Sequence, residues 1–172
     1  LGWALGITAI LTAKPNGTWL ATGVSIAVAG ELLRVWAAGH LNKDRVLAMT
    51  GPYRWTRNPL YFGTLFVGVG FALATGRALW VLVVVALFVS IYAPVMKREA
   101  RRLTAAFPGY EDYAARVPLF WPRRRHLDSG TGSAKPERVS FSWERVSRNR
   151  EHITVLGVVA VIAILTAKLY GG

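Results

Sequence analysis

Ala78-Leu79-Trp80-Val81-Leu82-Val83-Val84-Val85-Ala86-Leu87-Phe88-Val89-Ser90-Ile91-Tyr92-Ala93-Pro94-Val95-Met96 carries no charge and is followed at once by Lys97-Arg98. At ~1.5 Å per residue, a helix of this length nearly covers the ~30 Å hydrocarbon core of a bilayer. Its apolar residues are continuous, without the alternation of a barrel strand. An open strand in lipid would leave backbone groups unpaired, so the run reads as a transmembrane helix. Four more apolar stretches join it, at about 1–13, 18–38, 59–74 and 153–169. The expected fold is all-α, an integral-membrane bundle of about five transmembrane helices. The first stretch is too short to span and begins with Leu1 rather than Met, which predicts a truncated helix. Pro94 predicts a kink near the exit of the fourth.

Composition agrees. Of 172 residues 53% are apolar and only 17% charged, yet the formal net charge is +12. A hydrophobic chain with a cationic surplus excludes disordered, collagenous and ordinary nucleic-acid-binding classes. The chain has no cysteine, which excludes disulfides, thiolate metal sites and a cysteine nucleophile.

Charge sets the expected orientation. Lys14-Pro15-Asn16-Gly17 and Thr75-Gly76-Arg77 read as turns. Lys14, Arg77 and Lys168 fall on one face; the other 18 of 21 Lys and Arg lie in or beside the 39–58 and 97–152 connections. The positive-inside rule places those connections in the cytoplasm. Residues 123–136 read as a polar loop, and Val139, Trp143 and Val146 at helical spacing predict an interfacial amphipathic helix, with a basic linker drawn to anionic headgroups as the equal alternative. Gly68 and Gly70 read as packing positions, and Gly2 with Gly6 as a further hint of helix contact.

Chemistry concentrates in Gly51-Pro52-Tyr53-Arg54-Trp55-Thr56-Arg57-Asn58-Pro59-Leu60-Tyr61-Phe62-Gly63. Asn58 suits an N-cap and Pro59 the first helical position. The free N–H groups of that helix start, with Arg54 and Arg57 beside them, form a site for a carboxylate or phosphate. Tyr53, Trp55 and Tyr61 offer aromatic faces to a sulfonium or ammonium. An ordinary positive-inside loop with interfacial aromatics fits the same residues. His40 can serve as base, ligand or hydrogen-bond donor, or merely as a partner of the helix dipole. Glu31 inside the second stretch reads as a functional group or as an ion pair with Arg34. Glu99 is the acid in a basic run and either balances Arg98 or Arg102, or binds a ligand amine.

The 51–63 string resembles the GPYxxxRHPxYxG signature of integral-membrane methyltransferases, the isoprenylcysteine carboxyl methyltransferases and phospholipid N-methyltransferases. The resemblance runs through Glu99 to the Phe107, Tyr113, Val117-Pro118 and Pro122 ending, and residues 141–151 look like a bacterial branch of the group. It implies a division into two N-terminal helices (1–38), a methyltransferase core (39–122), a basic cytoplasmic loop with an interfacial helix (123–152) and a last helix (153–172). It also implies S-adenosyl-L-methionine at a cytoplasmic cofactor site and a lipophilic acceptor from the bilayer, an isoprenylcysteine-like carboxylate or a phospholipid amine. The implied cofactor-binding residues are His40, Gly51, Tyr53, Arg57, Asn58, Pro59, Tyr61 and Glu99. His40, Glu99 and Arg57 are the implied catalytic ones. The expected partners are membrane lipids, with no nucleic acid and no metal, in a bacterial inner membrane. Two positions depart from the pattern: Asn58 replaces the family histidine, and Ala100 replaces the second of two acids. An NADPH-dependent sterol-type reductase and a non-catalytic lipid-binding scaffold stand as alternatives.

Overall fold

The computed structural model describes residues 2–42, 46–123 and 139–171. Among these, seven α-helices and one 3-10 turn account for the regular structure, with no strand. In chain order they are α1 (Gly2–Leu11), α2 (Gly17–His40), the 3-10 turn Gly51–Arg54, α3 (Pro59–Ala74), α4 (Ala78–Ala106), α5 (Tyr110–Arg116), α6 (Trp143–Arg148) and α7 (Glu151–Tyr170). The expected all-helical membrane bundle stands. Helices α2, α4 and α7 are long and apolar enough to cross a membrane, while α3, with 16 residues, and α1, with 10, are shorter. α4 runs unbroken through Pro94 and on into the basic run, ten residues past the apolar stretch. Most of the expected 123–136 loop lies outside the described residues.

The chain divides into two compact units. The first holds α1, α2 through Leu32, α3 from Gly63, α4 through Val89, and the chain from His152. Its helices α2 and α3 touch backbone to backbone. A Cβ on Gly23 would lie 2.4 Å from the Gly70 carbonyl, and one on Gly70 2.5 Å from the Ala27 nitrogen. Two turns along, a Cβ on Gly30 would lie 2.7 Å from the Gly63 carbonyl. Gly23 and Gly30 on α2 thus face Gly70 and Gly63 on α3, both pairs seven residues apart, as two antiparallel helices require. In lipid, where apolar side chains gain little from leaving their solvent, such close approach is the main source of helix association. Gly68 meets Val84 of α4. Gly6, by contrast, faces open space within the chain.

The turns close this unit at one end. Asn16 caps α2 through its side-chain oxygen, which accepts the Trp19 N–H at 2.9 Å. Gly76 adopts φ +72, where a Cβ would lie 2.4 Å from the Lys14 carbonyl; Lys14 N–H donates to the Thr75 carbonyl at 2.9 Å. Lys168 Nζ donates to the Ile10 and Leu11 carbonyls at 2.8 and 2.6 Å, satisfying the end of α1. Around this frame Leu79, Leu82, Leu156 and Val159 are more than half exposed. Such a surface costs ~25 cal/mol per Å² in water and nothing against acyl chains.

The second unit holds α2 from Leu33, the chain to Phe62, α4 from Ser90, α5 and α6, up to Glu151. The expected amphipathic helix over 139–150 is shorter than its spacing suggests. Residues 139–142 are not helical, because the Ser142 N–H donates to the Gly39 carbonyl instead. Within α6 Val146 is buried but Trp143 is 71% exposed.

The Gly23/Gly70 contact generates a stability prediction. Gly70→Val must push backbone aside, an overpacking cost of about 1–3 kcal/mol or more. Its melting temperature in detergent should fall by about 5 °C or more. Gly6→Ala, facing open space, should leave it unchanged or slightly raised.

Candidate functional site

Within the second unit two strings distant in sequence lie side by side. Arg57 N–H donates to the Pro118 carbonyl at 3.0 Å, and Arg123 N–H to the Trp55 carbonyl at 3.1 Å. Between them the Asn58 side-chain amide donates to the Leu119 carbonyl at 2.9 Å, with Thr56 Oγ1 reaching the same oxygen at 3.4 Å. This seam joins the 51–63 string to the tail expected to accompany it. Asn58 also begins α3, its carbonyl accepting the Phe62 N–H, and Pro59 follows, fully buried.

Helix α5 packs the seam from beneath. Gly109 starts it at φ 89, Glu111 and Asp112 occupy its first turn and Arg116 its last, all matched to the helix dipole. Tyr110, Tyr113 and Val117 fall on one face and are almost completely buried with Met49. Tyr113 Oη donates to the Tyr53 carbonyl at 2.8 Å. Arg57 Nη1 donates to Tyr110 Oη at 3.1 Å, its guanidinium 5.8 Å from that ring's centroid. Arg57 Nε is buried and finds no hydrogen-bond partner among the described residues. Ala100, at the position of the missing acid, packs against this apolar cluster. A carboxylate there would face burial, so Ala100 contributes packing where the family pattern has charge.

His40 closes α2 and is buried. Its Nδ1 lies 3.0 Å from the Trp36 carbonyl, which can only accept, so Nδ1 carries a proton and, in the neutral ring, Nε2 presents a lone pair. Gly51, at φ +57, packs beneath the ring: a Cβ would meet three His40 ring atoms at 2.8 Å. Both conditions require glycine there. The Trp36 ring stands edge-on to His40 at 6.2 Å and to Trp55 at 5.3 Å.

A third group forms where α3 and α4 meet. Tyr61 and Tyr92 rings are 5.1 Å apart, and Glu99 is close enough for its charge to act on the Tyr61 hydroxyl. Glu99 pairs with Arg102 at 3.9 Å, both substantially exposed. An exposed pair of this kind contributes at most about 0.5 kcal/mol, so it leaves the carboxylate free to exchange partners. The candidates His40 and Gly51, then Tyr53, Arg57, Asn58 and Pro59, then Tyr61 and Glu99, are therefore gathered as three groups. Arg54 is exposed. Tyr92 and Tyr110 were not among the expected site residues. Tyr92 stands seven residues before Glu99, a same-face spacing, and that was its one sequence signal.

The burial of two tyrosines has a measurable consequence. Burial, then the charge of Glu151 and the nearby Tyr61, pushes the Tyr53 hydroxyl well above its ordinary value. Burial likewise raises Tyr113, reinforced by Tyr53 and Tyr110 and opposed by Arg57.

Comparison with known proteins places these features in context. A family model described as Phospholipid methyltransferase matches residues 17–108. The cobalt-zinc-cadmium resistance protein CzcN of Cupriavidus metallidurans is 34% identical over 138 residues, covering 70% of this chain and 62% of that protein. The nickel-cobalt-cadmium resistance protein NccN of Alcaligenes xylosoxydans xylosoxydans is 32% identical over 138 residues, covering 70% and 63%. The chain thus spans less than two thirds of the length of these relatives. No solved structure matches it.

Both raised tyrosines are neutral in the folded chain, so their contribution to stability is complete below about pH 10, the ordinary phenol value, and is lost as pH rises beyond it. Tyr113→Phe should make alkaline unfolding, followed by fluorescence, shallower above about pH 10. At pH 7 the same variant should lose about 1–3 kcal/mol, because the Tyr53 carbonyl is left without its donor.

Proposed function

The chain belongs to the phospholipid methyltransferase family, and from that premise we propose that it transfers a methyl group from S-adenosylmethionine to a lipophilic acceptor at the cytoplasmic face of a bacterial inner membrane. The observation that carries this reading is the seam, which joins the two signature strings by hydrogen bonds that include the Arg57 N–H.

The residues fit the cofactor's chemistry. Arg57, with its buried unpartnered Nε, suits the carboxylate, and Glu99 suits the ammonium. The adjoining Tyr61 and Tyr92 rings suit a sulfonium by cation–π attraction. When bound, S-adenosylmethionine supplies a methyl group attached to positively charged sulfur. The chain's own task is to orient donor and acceptor in line and to exclude water. For an amine acceptor a proton must also leave the attacking nitrogen. The lone pair on His40 Nε2 and the Glu99 carboxylate are the groups that would take it. Asn58 commits its amide to Leu119 and cannot accept a proton near neutral pH. A carboxylate acceptor needs no base.

The relatives' names attach the reading to metal resistance. In such a setting this chain's part would be methylation of a membrane acceptor.

Calorimetric titration of the detergent-purified protein with S-adenosylhomocysteine, and with NADPH in parallel, tests the assignment. We expect S-adenosylhomocysteine to bind and NADPH not to. Arg57→Gln and Glu99→Gln should each weaken binding about 10-fold or more, as loss of a charged hydrogen bond worth roughly 1.5–3 kcal/mol requires. NADPH binding alone would point to a reductase, and binding of neither to folded protein would point to a scaffold.

A further inference from the structure

Residues 139–151 lie beyond the stretch matched by the family model, yet several of their contacts converge on the end of α2. The last carbonyls of a helix have no partner within it. Here Arg145 Nε donates to the Gly39 carbonyl at 2.8 Å, where the Ser142 N–H also donates at 3.1 Å. Asn149 Nδ2 reaches the carbonyls of Ala38 and Leu41 at 3.0 and 3.2 Å. A guanidinium at this end also opposes the negative pole of the helix. At one end of the segment Thr50 Oγ1 donates to the Val139 carbonyl at 2.7 Å. At the other, Arg34 pairs with Glu151 at 2.8 Å, both largely buried.

The ring contacts follow the same pattern. Phe141 presses on Gly39 so closely that a Cβ there would lie 2.2 Å from it. Its centroid is 5.9 Å from that of His40. His40 is therefore held by Gly51 beneath, Trp36 at its edge and Phe141 beside it. The segment reaches both the helix that carries His40 and the residue that precedes Gly51.

We propose that residues 139–151 form a positioning strap for His40, with Arg145 and Asn149 as the positioning residues. By filling the carbonyls of the last turn of α2 they keep that turn helical. The helical turn in turn keeps His40 Nδ1 on the Trp36 carbonyl, which leaves Nε2 of the neutral ring as the acceptor. The consequence for methyl transfer rests on the function proposed above; the positioning itself does not.

The chain has three histidines, so nitrogen-15 labelling of histidine, assigned with His40→Gln, reads the His40 tautomer directly. In the unaltered protein at alkaline pH, His40 should show the Nδ1–H form. Arg145→Ala and Asn149→Ala should shift it toward the Nε2–H form that free imidazole side chains favour, with circular dichroism losing no more helix than that one turn. Arg145→Lys should restore it in part, since one ammonium can still reach the Gly39 carbonyl. Arg148→Ala removes the same charge from the strap, but Arg148 pairs with Glu144 on the exposed side, and its tautomer should match the unaltered protein. A wild-type tautomer in both Arg145→Ala and Asn149→Ala, or an equal shift in Arg148→Ala, overturns the proposal. Titration of the same variants with S-adenosylhomocysteine separates the two ideas. Affinity falling about 10-fold in Arg145→Ala but not in Arg148→Ala supports both. If the unaltered protein binds none, the cofactor reading fails and the tautomer alone still decides the strap.

Discussion

The seam between residues 55–58 and 118–123 is the contact on which the second unit depends. Neither string has regular structure of its own at that point, so each needs partners for its backbone groups. They supply them to each other: Arg57 to Pro118, Arg123 to Trp55 and Asn58 to Leu119. Each bond contributes only about 1 kcal/mol net, but the alternative is a set of polar groups stranded beside an apolar cluster. Burying Tyr110, Tyr113 and Val117 beneath them makes that alternative expensive. Arg57 is held where it is by this arrangement.

A different constraint governs the first unit. Lipid removes most of the hydrophobic drive for helices to associate, so geometry must provide it. Glycines at two-turn intervals on α2 and α3 let two backbones touch, and the short turns at Lys14 and Gly76 hold the ends. The helices that present leucine and valine outward, α4 and α7, need only a chain of suitable length. α2, α3 and α4 each contribute residues to both units.

Much of this was legible in the residues. Continuous apolar runs fix helices in lipid whatever their neighbours do, and the Thr75-Gly76-Arg77 turn follows from a glycine at positive φ. The 51–63 string drew Gly51, Arg57, Asn58 and Tyr61 into one candidate set, which the structure holds in three separate groups. Where reading failed, the cause was a distant partner. Val139, Trp143 and Val146 have helical spacing, but the bond from Ser142 to Gly39 starts the helix late. Gly6 looks like Gly70 in sequence, and only the presence or absence of a facing helix tells them apart. Ala100 stands where the family pattern has a second acid and packs against the cluster of Tyr110 and Tyr113, a contact that the local string does not reveal.

The sequence by itself determined that this is a helical membrane chain of the phospholipid methyltransferase family, with 18 of its 21 Lys and Arg in or beside two connections. Hydropathy, charge and a dense local motif act over short distances along the chain, so they can be read without coordinates. Tertiary structure alone decided how the motif is held: the seam onto Pro118 and Leu119, the Tyr92 ring against Tyr61, and the capping of α2 by Arg145 and Asn149. Each of these joins residues tens of positions apart. Which carbonyl a buried donor meets depends on how the helices and loops pack around it.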